Sequence, residues 1–217
     1  MPSSVADSGL GRKASKEVRK QQLIDATIRV LAVKGFAALT VADVSKAAGL
    51  STGIIIFHFV SKDELLASVL RFLAEEYYNN WKQAVAAAED NPAAKLSALV
   101  LADFNPDVYT PDKLAAWIAF WGESQGRPIY EELCAGFDAE RLVAGERFCS
   151  SLIESGGYDL DPDITMKALD AMGDGLWLAV AQSGSGLTGR LTPQECNQIM
   201  HASLAAFFPR HFAQPGR

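Results

Sequence analysis

The stretch that decides the fold runs from Ala42 to Leu66 and reads ADVSKAAGLSTGIIIFHFVSKDELL. Thr40 precedes it as the N-cap of a short helix, and Gly49 ends that helix. Ser51 and Thr52 begin another short helix almost at once. Two short helices around a tight glycine turn predict a helix-turn-helix unit, whose second helix enters the major groove of DNA. The same spacing also fits a plain corner between two helices of a bundle.

The charge of the chain is divided between its two ends. Residues 1–62 carry nine Lys and Arg against four acids, a balance of +5, and the rest carries 11 against 22, a balance of −11. A basic end on an acidic protein indicates contact with a polyanion, although basic residues also cluster by chance on solvated surfaces.

Outward from this stretch the pattern stays helical. Apolar residues recur with helical spacing, and Asn91-Pro92, Thr110-Pro111, Asp161-Pro162 and Thr192-Pro193 each pair an N-cap residue with proline at the first helical position. Ser61 with Glu64 forms a predicted capping box. The predicted helices lie near 17–34, 41–48, 52–58, 62–88, 92–104, 111–125, 128–155, 162–183 and 192–208. Ile54, Ile55 and Ile56 favour a strand, but their helical context overrides this propensity.

These signals predict an all-α fold of two domains. A flexible basic arm, residues 1–15, precedes an N-terminal three-helix helix-turn-helix domain at 16–62. A C-terminal helical domain for ligand binding and dimerisation follows at 63–212, with a tail at 213–217.

Residues 17–66 resemble the DNA-binding domain of the TetR family of bacterial repressors. The resemblance includes Phe57-His58-Phe59, the Ser61-Lys62-Asp63-Glu64 cap and the Leu65-Leu66 pair, all in family register. It implies phosphate and base contacts from a set of residues in the N-terminal domain: Thr40, Ser51, Thr52, Gly53, Phe57, His58 and Lys62.

Ile56 departs from the family pattern, because many members have tyrosine there and its hydroxyl contacts a phosphate. Either neighbouring residues replace that contact, or Ile56 makes an apolar contact such as one with a thymine methyl. The basic arm likewise has two interpretations, as a phosphate contact or as a solubilising tail.

We call residues 16–62 the head and residues 63–212 the body. Lys113 to Arg141 in the body resembles a narrower group, the BetI-like regulators, as does Ser51 to Ile55 in the head. That group represses the choline-to-glycine-betaine pathway and responds to choline, but many regulators of other pathways share this body. A quaternary ammonium is bound by aromatic faces and a carboxylate. The candidate ligand box therefore comprises Trp117, Phe120, Trp121, Glu123, Tyr130 and Trp177, with Phe137 and Asp138 as further members. The same aromatic stripe also fits an ordinary core.

The last two predicted helices carry apolar stripes, at Ala168 to Val180 and at Cys196 to Phe208. In the TetR family such helices form a four-helix bundle across a two-fold axis. The resemblance implies a homodimer on a pseudo-palindromic double-stranded operator. A small-molecule inducer, choline or another cation, would favour a body conformation in which the heads no longer fit the DNA.

Other classes of protein are disfavoured. The three cysteines and three histidines form no metal-ligand spacing, and no catalytic motif is present, so neither enzyme activity, a cofactor nor a metal is expected. The absence of a signal peptide and of a membrane-length apolar run predicts a cytoplasmic protein. A binding protein that acts through protein contacts without DNA remains the other alternative.

Overall fold

Capping side chains set most of the helix boundaries. The computed structural model describes residues 5–122, 127–182 and 191–212, with side chains described at 16–122, 130–181 and 191–212. Its helices are α1 Val5–Ala38, α2 Val41–Ala48, α3 Thr52–His58, α4 Lys62–Ala87, α5 Pro92–Leu101, α6 Pro111–Gly122, α7 Arg127–Gly156, α8 Pro162–Gln182 and α9 Pro193–Phe207. A 3₁₀ turn, Ala102–Phe104, follows α5. The described residues contain no strand, which confirms the all-α prediction.

The proline-marked helix starts agree with the sequence. Asn91 accepts a hydrogen bond from the Ala94 N–H, and Thr192 forms a full capping box with Glu195. At α4 the detail differs from the predicted box. Ser61 accepts from the Glu64 N–H, but the Glu64 carboxylate turns back to the Val60 N–H, one residue before the cap.

Helix α1 differs most from the prediction, because it begins at Val5 inside the segment predicted as a flexible arm. Although α1 extends to Ala38, its regular helical backbone breaks at Gly35, where the sequence predicts the end of the helix. Gly35 has φ +72° and ψ 177°, a conformation that glycine adopts without strain. The mobility of residues 1–15 stays a prediction.

One hydrophobic core connects head and body. Leu23, Val44, Ile55 and Leu65 fill the space between α1, α2, α3 and α4 and are at most 2% exposed. Helix α4 continues into the body, where Trp81 is buried. This single helix therefore contributes buried residues to both the head and the body.

Candidate DNA-binding head and ligand pocket

The turn between α2 and α3 has the geometry that a helix-turn-helix unit needs. Gly49 lies in the left-handed region, at φ +65°, and its N–H donates to the carbonyls of Lys46 and Ser45. Val44 and Ile55 are buried on either side of this turn, so the two helices are fixed against each other. Ile55 is buried and Ile54 is half-buried, so these two isoleucines pack the core of the head.

The opposite face of α3 points into solvent. Thr52 and Gly53 are exposed, Ile56 is 64% exposed and Phe57 is 73% exposed. Ser51, the N-cap residue, is exposed and makes no side-chain capping bond, so its hydroxyl faces outward. These five predicted DNA-contact residues thus share one accessible surface, which we call the recognition face.

Three other predicted contacts lie around the recognition face. Thr40 is exposed, but its hydroxyl and its N–H are both bonded to Asp43, so its first role is to cap α2. His58 is half-buried, and burial followed by the positive charge of Lys16 lowers its pKa, which keeps the imidazole neutral near pH 7. Lys62 is half-buried at the first position of α4.

A cavity of about 440 Å³ lies in the body among α4, α6, α7 and α8. Its aromatic wall is nearly continuous. The Trp121 and Trp177 rings stack at 6.0 Å between centroids, Trp117 lies 6.0 Å from Trp121, and Tyr77 lies 5.8 Å from Trp177. Tyr130 closes the wall edge-on to Trp117 at 6.3 Å. Such faces carry negative quadrupole charge and attract cations.

The rest of the cavity wall is strongly acidic. Among the described residues, four aspartates and one basic side chain, Arg141, line it. Arg141 is 3% exposed and contacts Asp103, at 2.9 and 3.1 Å, and also Asp170. The other two carboxylates, Asp138 and Asp174, have no basic partner among the ion pairs of the described residues. The cavity therefore has excess negative charge beside an aromatic surface.

The environment of these carboxylates disfavours their ionised form. Burial, followed by the nearby charges of Asp170 and Asp103, raises the pKa of Asp174 to about 6. Burial also raises the pKa of Asp138, although the Tyr130 hydroxyl donates a 3.0 Å hydrogen bond that favours the charged form. A cation entering the cavity would relieve this repulsion.

One hydrogen-bond chain joins the cavity to α4. The Tyr77 hydroxyl of α4 donates to Asp103 at 2.8 Å, and Arg141 holds the same carboxylate. The indole N–H of Trp177 donates to the Asp103 carbonyl at 3.1 Å. Gly173 is needed beside this carboxylate, because a Cβ at this position would lie 2.9 Å from Asp103 Oδ2. The cavity wall is thus hydrogen-bonded to the helix that enters the head.

The structure brings most of the predicted ligand box together. Trp117, Trp121, Tyr130 and Trp177 all line the cavity. Phe120 does not: it is fully buried, with its ring edge-on to Phe36 of α1 at 5.7 Å, because this side of α6 faces α1.

Two candidates of the box remain. Glu123 falls outside the described residues. Phe137 packs against Tyr78, with 4.7 Å between ring centroids, and is not part of the cavity wall.

Apart from Asp138, sequence reasoning missed the polar and charged part of the wall: Tyr77, Asp103, Arg141, Asp170 and Asp174. One signal was present, since Asp170 and Asp174 lie four residues apart and so share a face of α8. Asp103 gave no such signal, because its place depends on how the 3₁₀ turn folds back.

Among the described residues, no group of three or more histidine, cysteine, aspartate or glutamate side chains could hold a metal ion. None of the described helices is long and apolar enough to cross a membrane.

Known protein families match both the DNA-binding head and the ligand-binding body of the chain. Residues 23–69 match the model of bacterial regulatory proteins of the tetR family, and residues 92–209 match the C-terminal domain of BetI-type transcriptional repressors. The HTH-type transcriptional regulator BetI of Paraburkholderia phymatum is 32% identical over 202 residues, covering 88% of this chain and 95% of that protein.

Solved structures show the same fold. A putative transcriptional regulator from Pseudomonas aeruginosa PAO1 has a TM-score of 0.70 at 29% identity, over 90% of this chain and 94% of that one. A putative regulator from Saccharomonospora viridis, solved in complex with choline, has a TM-score of 0.66 at 19% identity, over 83% and 92%. The chain belongs to the TetR family of bacterial transcriptional regulators and carries a BetI-type C-terminal domain.

Proposed function

We propose that this regulator represses transcription as a homodimer and is released from its operator by an organic cation of the quaternary-ammonium class, with choline as the first candidate. The observation that carries the ligand assignment is the cavity itself, an aromatic wall with four aspartates and a single arginine. The BetI relatives and the choline-bound structural neighbour add support for the same class of ligand. The protein would act by binding alone, in the cytoplasm where its operator lies.

The DNA end of the proposal uses the recognition face together with Thr40, His58 and Lys62. Apolar side chains on α8 and α9, including Met172, Leu178 and Ile199, are between 37% and 46% exposed, which supports burial against a second copy. A two-fold axis there would present two α3 helices to successive major grooves of a pseudo-palindromic site.

The ligand end uses the electrostatics of the cavity. A cation between Trp117, Trp121 and Trp177 gains cation–π attraction and neutralises part of the excess charge. The positive charge of the ligand would change the electrostatic attraction between Arg141 and the aspartates of the wall. Arg141 binds Asp103, which in turn accepts a hydrogen bond from Tyr77 of α4. The ligand would thereby shift the population of α4 orientations, and a coupling of about 1–3 kcal/mol changes operator affinity roughly 5- to 150-fold.

A comparison of choline with a neutral molecule of the same shape tests whether the cavity selects its ligand by positive charge. Binding is measured by tryptophan fluorescence and calorimetry with choline, with its neutral carbon isostere 3,3-dimethylbutan-1-ol and with the zwitterion glycine betaine. Choline should bind, the isostere should bind at least tenfold more weakly, and the carboxylate of betaine should be repelled. Equal affinity for choline and the isostere would show that the acidic wall does not select a cation.

Variants localise the ligand to the cavity. Asp138→Asn should weaken choline binding, because it removes a carboxylate of the wall. Glu140→Gln is a matched control two residues away on the same helix, since Glu140 pairs with Lys82 on the surface. If the two variants bind choline equally well, the ligand site lies elsewhere.

The DNA end is tested by gel shift with the region upstream of the chain's own gene. Thr52→Ala and Lys62→Ala should weaken binding, whereas Lys95→Ala, in α5 of the body, should not. Unchanged binding in Thr52→Ala and Lys62→Ala would show that these residues do not contact the operator, and absence of binding by the parent protein would favour a regulator that acts through protein contacts.

A further inference from the structure

The recognition face is unusually apolar at its centre. Ile56 and Phe57 are adjacent on the exposed side of α3. Their side chains are 64% and 73% exposed, whereas Ile55 beside them is 2% exposed. Single exposed apolar residues are common on protein surfaces. An adjacent pair at the centre of the proposed DNA-reading helix offers an apolar surface that an apolar group of the DNA would complement.

The same helix lacks the side chains that read most bases. Arginine and lysine bind guanine, and asparagine and glutamine bind adenine, through paired hydrogen bonds in the major groove. Helix α3, Thr52–His58, contains none of these four residue types. The one apolar group that the major groove offers is the C5-methyl of thymine.

Gly53 provides an independent indication of close approach. Its φ is not in the left-handed region, and a Cβ there would meet only Ser51 Oγ, at 3.9 Å. Glycine in a helix lowers stability relative to alanine, so the fold itself has no use for it at this position. The missing side chain leaves space on the outer side of α3, where a DNA duplex would come closest.

Phe57 has two ring contacts on its own head. Its ring is edge-on to His58, with 5.2 Å between centroids, and Lys16 Nζ lies 5.7 Å from its centroid. Contacts that favour one rotamer lower the entropy that the side chain loses on binding.

We propose that Ile56 and Phe57 read thymine methyl groups in the major groove of each operator half-site. The inference rests on the proposed operator binding and adds the chemistry by which the operator is selected. Ile56, the residue that departs from the family pattern, then acts as a specificity-determining residue.

Deoxyuridine tests this directly, because it pairs like thymidine but lacks the methyl. Each thymine of the half-sites is replaced singly by deoxyuridine, and affinity is measured by fluorescence anisotropy at fixed salt. Each buried methyl should contribute about fourfold in affinity. Replacements in the central spacer or outside the operator are the matched control and should have no effect.

Variants assign the methyls to residues. In Ile56→Ala the loss at one thymine should disappear, and in Phe57→Ala the loss at another should disappear, which a double-mutant cycle detects. Both side chains are exposed, so the variants should fold, as circular dichroism can verify. If thymine and deoxyuridine operators bind equally well, the inference is wrong while operator binding stands. If the unsubstituted operator does not bind, the proposed function fails instead.

Discussion

Gly53→Ala should stabilise the protein and weaken its DNA binding at the same time. The added Cβ finds open space on the protein, with its nearest contact at 3.9 Å. Replacing a helical glycine by alanine should therefore raise the free energy of unfolding by about 0.5–1 kcal/mol. On the outer face of α3 the same methyl keeps the helix away from the base edges. Losing about one good base contact, worth roughly 1–3 kcal/mol, lowers operator affinity about 5- to 150-fold.

The assay combines urea unfolding with fluorescence anisotropy on a labelled operator. Gly136→Ala is the matched control, since a Cβ there meets nothing within 4 Å and the residue lies on α7 of the body. It should stabilise the fold and leave operator affinity unchanged. Gly145→Ala sets the opposite limit, because its Cβ would overlap the side chain of buried Met166, and it should destabilise. Operator binding by Gly53→Ala that equals the parent would refute close approach at this position.

Three further predictions concern the cavity. Choline affinity should fall about tenfold from pH 7.5 to pH 5, because Asp174, with its pKa raised to about 6, loses the charge that attracts the cation; titration calorimetry of Asp174→Asn should show a flatter profile. Tyr77→Phe should leave choline binding nearly intact but reduce its effect on operator affinity, because the hydroxyl is the bond between α4 and Asp103; an undiminished effect in gel shifts would exclude this route. Arg141→Met should lower the free energy of unfolding by about 3–5 kcal/mol, because it leaves Asp103 buried without its partner, whereas Lys82→Met on the surface should change it little in urea titrations.

The helical layout could be predicted because its signals are local. N-cap residues followed by proline, and Gly35 and Gly49 after the last helical turns, mark boundaries within the chain itself. Even α3 could be predicted against the strand preference of its three isoleucines, because its flanking caps leave room only for a short helix. The start of α1 could not be placed, because residues 5–15 include cap and breaker residues such as Asp7, Ser8, Gly9 and Gly11, which favour an irregular arm, yet the helix runs through them.

The cavity could be predicted only in part because it depends on which helix faces meet. Trp117 and Trp121 share a face through their spacing, but the same periodicity does not tell that Phe120 faces α1 instead. The contact of Arg141 with Asp103 and Asp170 joins residues 38 and 29 positions apart, so no local pattern announces it. The acidic character of the wall emerges only when α7 and α8 pack together.

The central claim is that a cation in the body and an operator at the heads oppose each other. Linkage requires this opposition to be reciprocal. The most direct measurement is a pair of titrations: operator affinity with and without saturating choline, and choline affinity with and without saturating operator. Both affinities should fall by the same factor, between about 5 and 150. If choline binds in the cavity and operator affinity does not change, the cavity does not control the head and the account is wrong.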